Sequence, residues 1–103
     1  MADESTADGA ASPAPTSWTF LSNHGHVLVA IKESPDARVR ELAARVGISE
    51  RAVQLIVGDL ERAGYIVKER TGRRNHYIVT SGQHLRHPAE RESSVDDLLS
   101  IFR

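Results

Sequence analysis

The chain has 103 residues, a formal net charge of −1, 40% hydrophobic residues and no cysteine. That is enough for one small domain with a modest core, while the lack of cysteine excludes a disulfide framework and a thiolate metal site and suits a reducing cytosol. No apolar run approaches the roughly 20 residues of a membrane-spanning helix, and MADESTADGAASPAPTS has no basic stretch leading into an apolar one, so a cytoplasmic chain with no signal peptide or membrane contact is expected.

The near-neutral total hides a partition. Residues 1–17 carry Asp3, Glu4 and Asp8 and no Lys or Arg; residues 18–87 carry 11 basic against 7 acidic side chains; residues 88–103 carry 2 against 4. The middle is the basic part, so the placement of its charges matters more than their sum.

Residues 1–16, acidic and rich in Ala, Ser and Pro, are expected to be a disordered tail. Order begins near Trp18. Ser22 can cap a first helix whose Val27, Leu28, Ala30 and Ile31 follow helical spacing, and Ser34-Pro35-Asp36 stops it. In VRELAARV, Val39, Leu42, Ala43 and Val46 form one apolar stripe of a second helix, although Val39 can instead close a short extended segment before it. Gly47 ends this helix because glycine takes a left-handed backbone without steric cost. Ile48 points into the core, and Ser49 caps a third helix with the stripe Val53, Ile56, Val57 and Leu60, ended by Gly64.

The period then changes. Tyr65 to Arg70 and Asn75 to Val79 are β-rich runs around Thr71-Gly72-Arg73-Arg74, the pattern of a hairpin with a basic tip. Residues 81–93 are polar and expected to be irregular. A last helix of about nine residues follows, with Ser94 and Asp97 as a capping box and Val95, Leu98, Leu99 and Phe102 as its stripe. So short a helix needs something to dock on. The first helix also has a consecutive apolar run, Val27 to Ile31, so Val27, Leu28, Ile31, Val95, Leu98, Leu99 and Phe102 are expected to form a two-fold interface.

If Val53, Ile56, Val57 and Leu60 face inward, the outward face of the third helix shows Glu50, Arg51, Gln54, Leu55 and Gly58. Arg51 and Gln54 are the residue types that make bidentate contacts to guanine and adenine edges. Ser49 and the helix start can hold a phosphate, and Arg73 and Arg74 can reach phosphates or a narrow minor groove. Leu55 is unusual on such a face, and Glu50 repels phosphate unless it accepts a hydrogen bond. The five histidines, His24, His26, His76, His84 and His87, lack cysteine support and metal-site spacing, so neither a metal nor a cofactor is expected. No catalytic arrangement is evident, and the chain is not expected to be an enzyme.

From Trp18 to Thr80, ELAARVGISERAVQLIVGDLERAGYI followed by KERTGRRNHYIV resembles the small winged helix-turn-helix regulators of the MarR-like and ArsR-like group. The resemblance implies a mainly α fold with a small β-hairpin and an additional C-terminal helix. It also implies a transcriptional regulator, most simply a repressor, that binds double-stranded DNA as a homodimer. The helix from Glu50 would lie in the major groove and the hairpin on an adjacent minor groove or the backbone. The expected DNA-binding set is Arg40, Ser49, Glu50, Arg51, Gln54, Leu55, Arg73, Arg74 and Asn75. The expected division is a tail (1–16), a DNA-binding domain (17–81), and a linker with a terminal helix (82–103). The alternatives are a protein-interaction module, or an effector-responsive sensor with an added ligand or metal site near Trp18, the first helix and the last helix.

Overall fold

Helix α1 (Asn23–Glu33) begins where Ser22, in extended backbone, accepts a hydrogen bond from the Gly25 amide at 3.3 Å. Its Val27, Leu28, Ala30 and Ile31 are buried. The computed structural model describes residues 18–102, so the expected tail at 1–16 lies outside the described residues.

Helix α2 (Val39–Val46) includes Val39 as its first residue. The extended alternative does not occur, because the Arg38 amide donates to Glu41 Oε1 at 2.7 Å and starts the helix there. Gly47 ends it with φ +85°; its amide and that of Ile48 both donate to the Ala43 carbonyl, at 2.8 and 3.1 Å. That left-handed residue turns the chain through a corner only glycine takes without strain. Ser49 then caps α3 (Glu50–Arg62) by accepting from the Ala52 amide at 3.0 Å. Val53, Ile56, Val57 and Leu60 are buried as the stripe required, and Ile48 packs half-buried against the same core.

The hairpin pairs β1 (Ile66–Thr71) with β2 (Arg74–Val79) in antiparallel register from Ile66 opposite Val79 to Thr71 opposite Arg74. Three expected boundaries shift. Tyr65 precedes β1, Thr71 belongs to β1 and Arg74 to β2, so the tip is only Gly72-Arg73, with Gly72 at φ +62°. Inward-facing Ile66 and Tyr77 are buried, and burial, followed by the charge of Glu61, raises the Tyr77 phenol above its ordinary pKa. Helices α1, α2 and α3 pack pairwise, with β1 against α3 and β2 against α1. The Tyr77 amide donates at 3.1 Å to the Pro35 carbonyl, which stitches β2 to the α1–α2 loop.

Residues 81–93 are irregular, closed by a bridge between His84 and Ser94 and by the Tyr65 hydroxyl donating to the His84 carbonyl at 2.5 Å. The last helix is shorter than expected: α4 covers only Val95–Leu99. The Ile101 and Phe102 amides donate three residues back, to Leu98 and Leu99, so the end tightens instead of continuing as α-helix. Ser94 caps it through the Asp97 amide at 2.9 Å.

The apolar set expected to make a two-fold interface divides between the core and its edge. Val27, Leu28, Ile31, Val95 and Leu99 are all enclosed in the chain's own core, leaving Leu98 and Phe102 half-buried at its edge. The buried half of the C-terminal stripe, Val95 and Leu99, packs into the chain's own core, which takes its apolar surface out of water.

Candidate nucleic-acid interface

The corner at Gly47-Ile48-Ser49 and the buried stripe of α3 together decide which residues face solvent. Ser49, Glu50, Arg51, Gln54 and Leu55 are all exposed, Leu55 at 60% of its surface, and Gly58 is half-buried. A side chain at Gly58 would meet the Arg62 guanidinium, whose Nη1 lies 3.1 Å from the Cβ position. Glu50 sits in the first turn, where its carboxylate is favourable at the positive helix end.

Charge pairing separates two groups of cations. Arg45 pairs with Glu33, joining α2 to α1, and Arg62 pairs with Asp59 at 2.6 Å. On its other side Asp59 takes His24 Nε2 at 2.8 Å, joining α3 to α1. The His24 hydrogen bond, with Arg62 assisting, holds the Asp59 carboxyl below its ordinary pKa. Arg40, Arg51 and Arg73 are exposed and take part in no ion pair among the described residues. The paired cations join or stiffen the helices; the unpaired ones keep their full donor capacity for an anion.

The wing arginines do not behave alike. Arg73 stands in the two-residue turn, whereas Arg74 Nη2 donates at 3.0 Å to the Asp36 carbonyl in the α1–α2 loop. Beside it His76 Nδ1 lies 2.5 Å from Asp36 Oδ1. With the Tyr77–Pro35 bond, three contacts clamp β2 to this loop. The sequence pairs Arg73 and Arg74 as tip residues; the register separates them, because Arg74 is already a strand residue facing Thr71. Asn75 is exposed beside it.

Sequence reasoning missed Asp36 and Arg38. Asp36 read only as part of a helix stop, and Arg38 was given no role, yet both line a cleft with Arg73, Arg74 and Asn75. The five histidines are separated: His24 on Asp59, His26 on Thr19, His76 on Asp36, His84 on the Arg91 carbonyl, and His87 accepting from the Ala89 amide. Among the described residues no three metal-ligating side chains converge. A groove of about 350 Å³ between the first and last helices is lined by Phe20, Leu28, Leu60, Tyr65, Leu85 and Val95 among others.

Three helices whose second and third meet at a glycine corner, followed by a two-stranded hairpin, define a winged helix-turn-helix protein. The sequence profile of the MarR family matches residues 19–74, and the chain belongs to that family. No curated protein sequence matches it. Among solved structures, one from Bacteroides thetaiotaomicron, determined in solution by NMR, is similar at 28% identity and TM-score 0.49, over 63% of this chain and 88% of its own. MepR, a transcription regulator of the Staphylococcus aureus multidrug efflux pump MepA, is similar at 21% identity and TM-score 0.49, over 57% of this chain and 46% of its own. The zinc-dependent MarR family transcriptional regulator AdcR, in its Zn(II)-bound state, is similar at 23% identity and TM-score 0.48, over 64% and 47%. The chain spans just under half the length of these two regulators.

Proposed function

We propose that this protein is a transcription regulator that binds duplex DNA, with α3 in the major groove, the wing on the flanking backbone or minor groove, and repression by occupying its operator. The observation that carries this reading is the outward face of α3, where Arg51 and Gln54 are exposed and Arg51 is unpaired, on a helix held by a buried stripe on its other side. Arg40, Ser49 and Asn75 are exposed where they could add backbone contacts. Leu55 fits a thymine methyl or lies beside the groove.

A homodimer would present two α3 helices to a two-fold operator. Among the described residues, exposed Trp18, Phe20 and Ile101 together with half-buried Leu98 and Phe102 offer apolar surface near the first and last helices for such contact. Phe20 and Leu98 share one groove, and Leu21 shares the next with Phe102.

Selection of bound sequences from a random duplex pool tests the reading, and a palindromic motif is the expected result. Arg51→Ala and Gln54→Ala should each relax preference at one position per half-site, by about 1 to 3 kcal/mol for a bidentate contact. Leu55→Arg should raise salt-sensitive affinity for all sequences instead. A second reading, a protein-interaction module, draws on the exposed apolar side chains of Leu55 on α3 and Val67 and Ile78 on the wing. Unchanged base preference in both alanine variants would favour it.

A further inference from the structure

The cleft between the start of α2 and the wing tip has a volume of about 260 Å³ and brings Arg38, Arg73, Arg74 and Asn75 together around Asp36. Asp36 is the one carboxylate in its lining, and it is already engaged: its Oδ1 faces His76 Nδ1 at 2.5 Å and its carbonyl accepts from Arg74 at 3.0 Å. Three arginines thus line one small cleft with a single carboxylate that is already paired with His76. Arg38 and Arg73 have no ion pair among the described residues and are exposed. They also come from opposite walls, one from the first residue before α2, the other from the hairpin turn. An anion bridging these walls would gain charge-assisted hydrogen bonds from both sides.

We propose that this cleft seats one phosphate of the DNA backbone, gripped jointly by Arg38, the residue just before α2, and Arg73 from the wing. Arg74 is the strut that sets the span between them, tied to the α1–α2 loop through the Asp36 carbonyl. The proposal rests on the duplex-binding reading and adds to it a residue outside the expected DNA-binding set, Arg38, and a division of labour between the two wing arginines. A clamped wing also makes this grip preorganised: the Asp36 contacts already hold β2 against the loop before DNA arrives.

The test uses the full chain and its selected duplex, synthesised as a series in which one phosphate at a time is replaced by a neutral methylphosphonate. Wild type should lose roughly tenfold in affinity at one phosphate per half-site outside the stretch read by α3. Arg38→Ala and Arg73→Ala should each weaken binding to the unmodified duplex and become insensitive to replacement of that same phosphate. Together they should lose less than the product of their separate losses. Sensitivity vanishing at two different phosphates, or fully multiplicative losses, would overturn the shared grip while leaving DNA binding in place. So would an Arg38→Ala variant that binds every duplex as wild type does. Binding of inorganic phosphate alone at these arginines as tightly as duplex, followed by NMR, would make the cleft a free-anion site and also overturn the proposal. If the wild type selects no duplex at all, the DNA-binding reading fails and the cleft assignment with it.

Discussion

Asp59 illustrates what a single side chain does here beyond its own helix. Its carboxylate accepts from His24 on α1 and from Arg62 one turn further along α3, and these contacts lower its pKa. A carboxyl whose folded-state pKa is depressed stabilises the fold above its ordinary titration range, and that contribution is lost as pH falls through the lowered value. Asp59→Asn should therefore lower the melting temperature at neutral pH, with the difference from wild type closing as the solution is taken below the usual carboxylate range. A gap that stays constant down to strongly acid pH would mean the hydrogen bonds matter but the charge does not. The cap and the outward polar residues of α3 were legible from residue spacing alone. The Asp59–His24 contact was not, because it joins residues 35 apart in sequence.

At the scale of elements, the corner between α2 and α3 is the most legible feature of the chain. Gly47, Ile48 and Ser49 each have one local task, and each task follows from residue type: left-handed backbone, an apolar anchor and a side-chain cap. Gly47→Ala should cost about 1 to 2 kcal/mol, measured by urea unfolding, since a Cβ at φ +85° is strained even though nothing stands within 4 Å of it. A loss within a few tenths of a kcal/mol would show that the corner relaxes to accommodate alanine. The wing was legible as a hairpin but not in its roles. Arg73 and Arg74 are chemically alike and adjacent, and only pairing register and the nearby α1–α2 loop distinguish a free tip from a strut. Asp36 carried no sequence signal beyond helix termination, because its partners His76 and Arg74 lie roughly 40 residues away on another element.

For the molecule as a whole, the decisive question is where the terminal apolar stripe goes. Val95 and Leu99 join the core with α1, so Leu99→Ala should destabilise the fold by about 2 to 5 kcal/mol, the range for a buried leucine truncated to alanine. Phe20→Ser and Ile101→Ser, on exposed residues, should leave unfolding nearly unchanged and instead shift a homodimer toward monomer in sedimentation. If Leu99→Ala dissociated a dimer without loss of stability, the stripe would be an interface and not core.

The sequence by itself determined the helix-turn-helix, its caps, the inward stripe of α3 and the existence of a basic hairpin. All of these follow from local spacing, backbone freedom and the chemistry of neighbouring residues. Tertiary structure decided what an apolar face or a cation is for. Periodicity identifies a side chain that must leave water but not what covers it, and the packing of Val27, Leu28, Ile31, Val95 and Leu99 into one cluster is visible only once the chain has folded. Composition counts arginines, while the assignment of Arg45 and Arg62 to ion pairs, Arg74 to a strut, and Arg38 and Arg73 to an open cleft depends on which groups distant in sequence are brought within hydrogen-bonding reach. Contacts of that range are set by packing, and no local pattern encodes them.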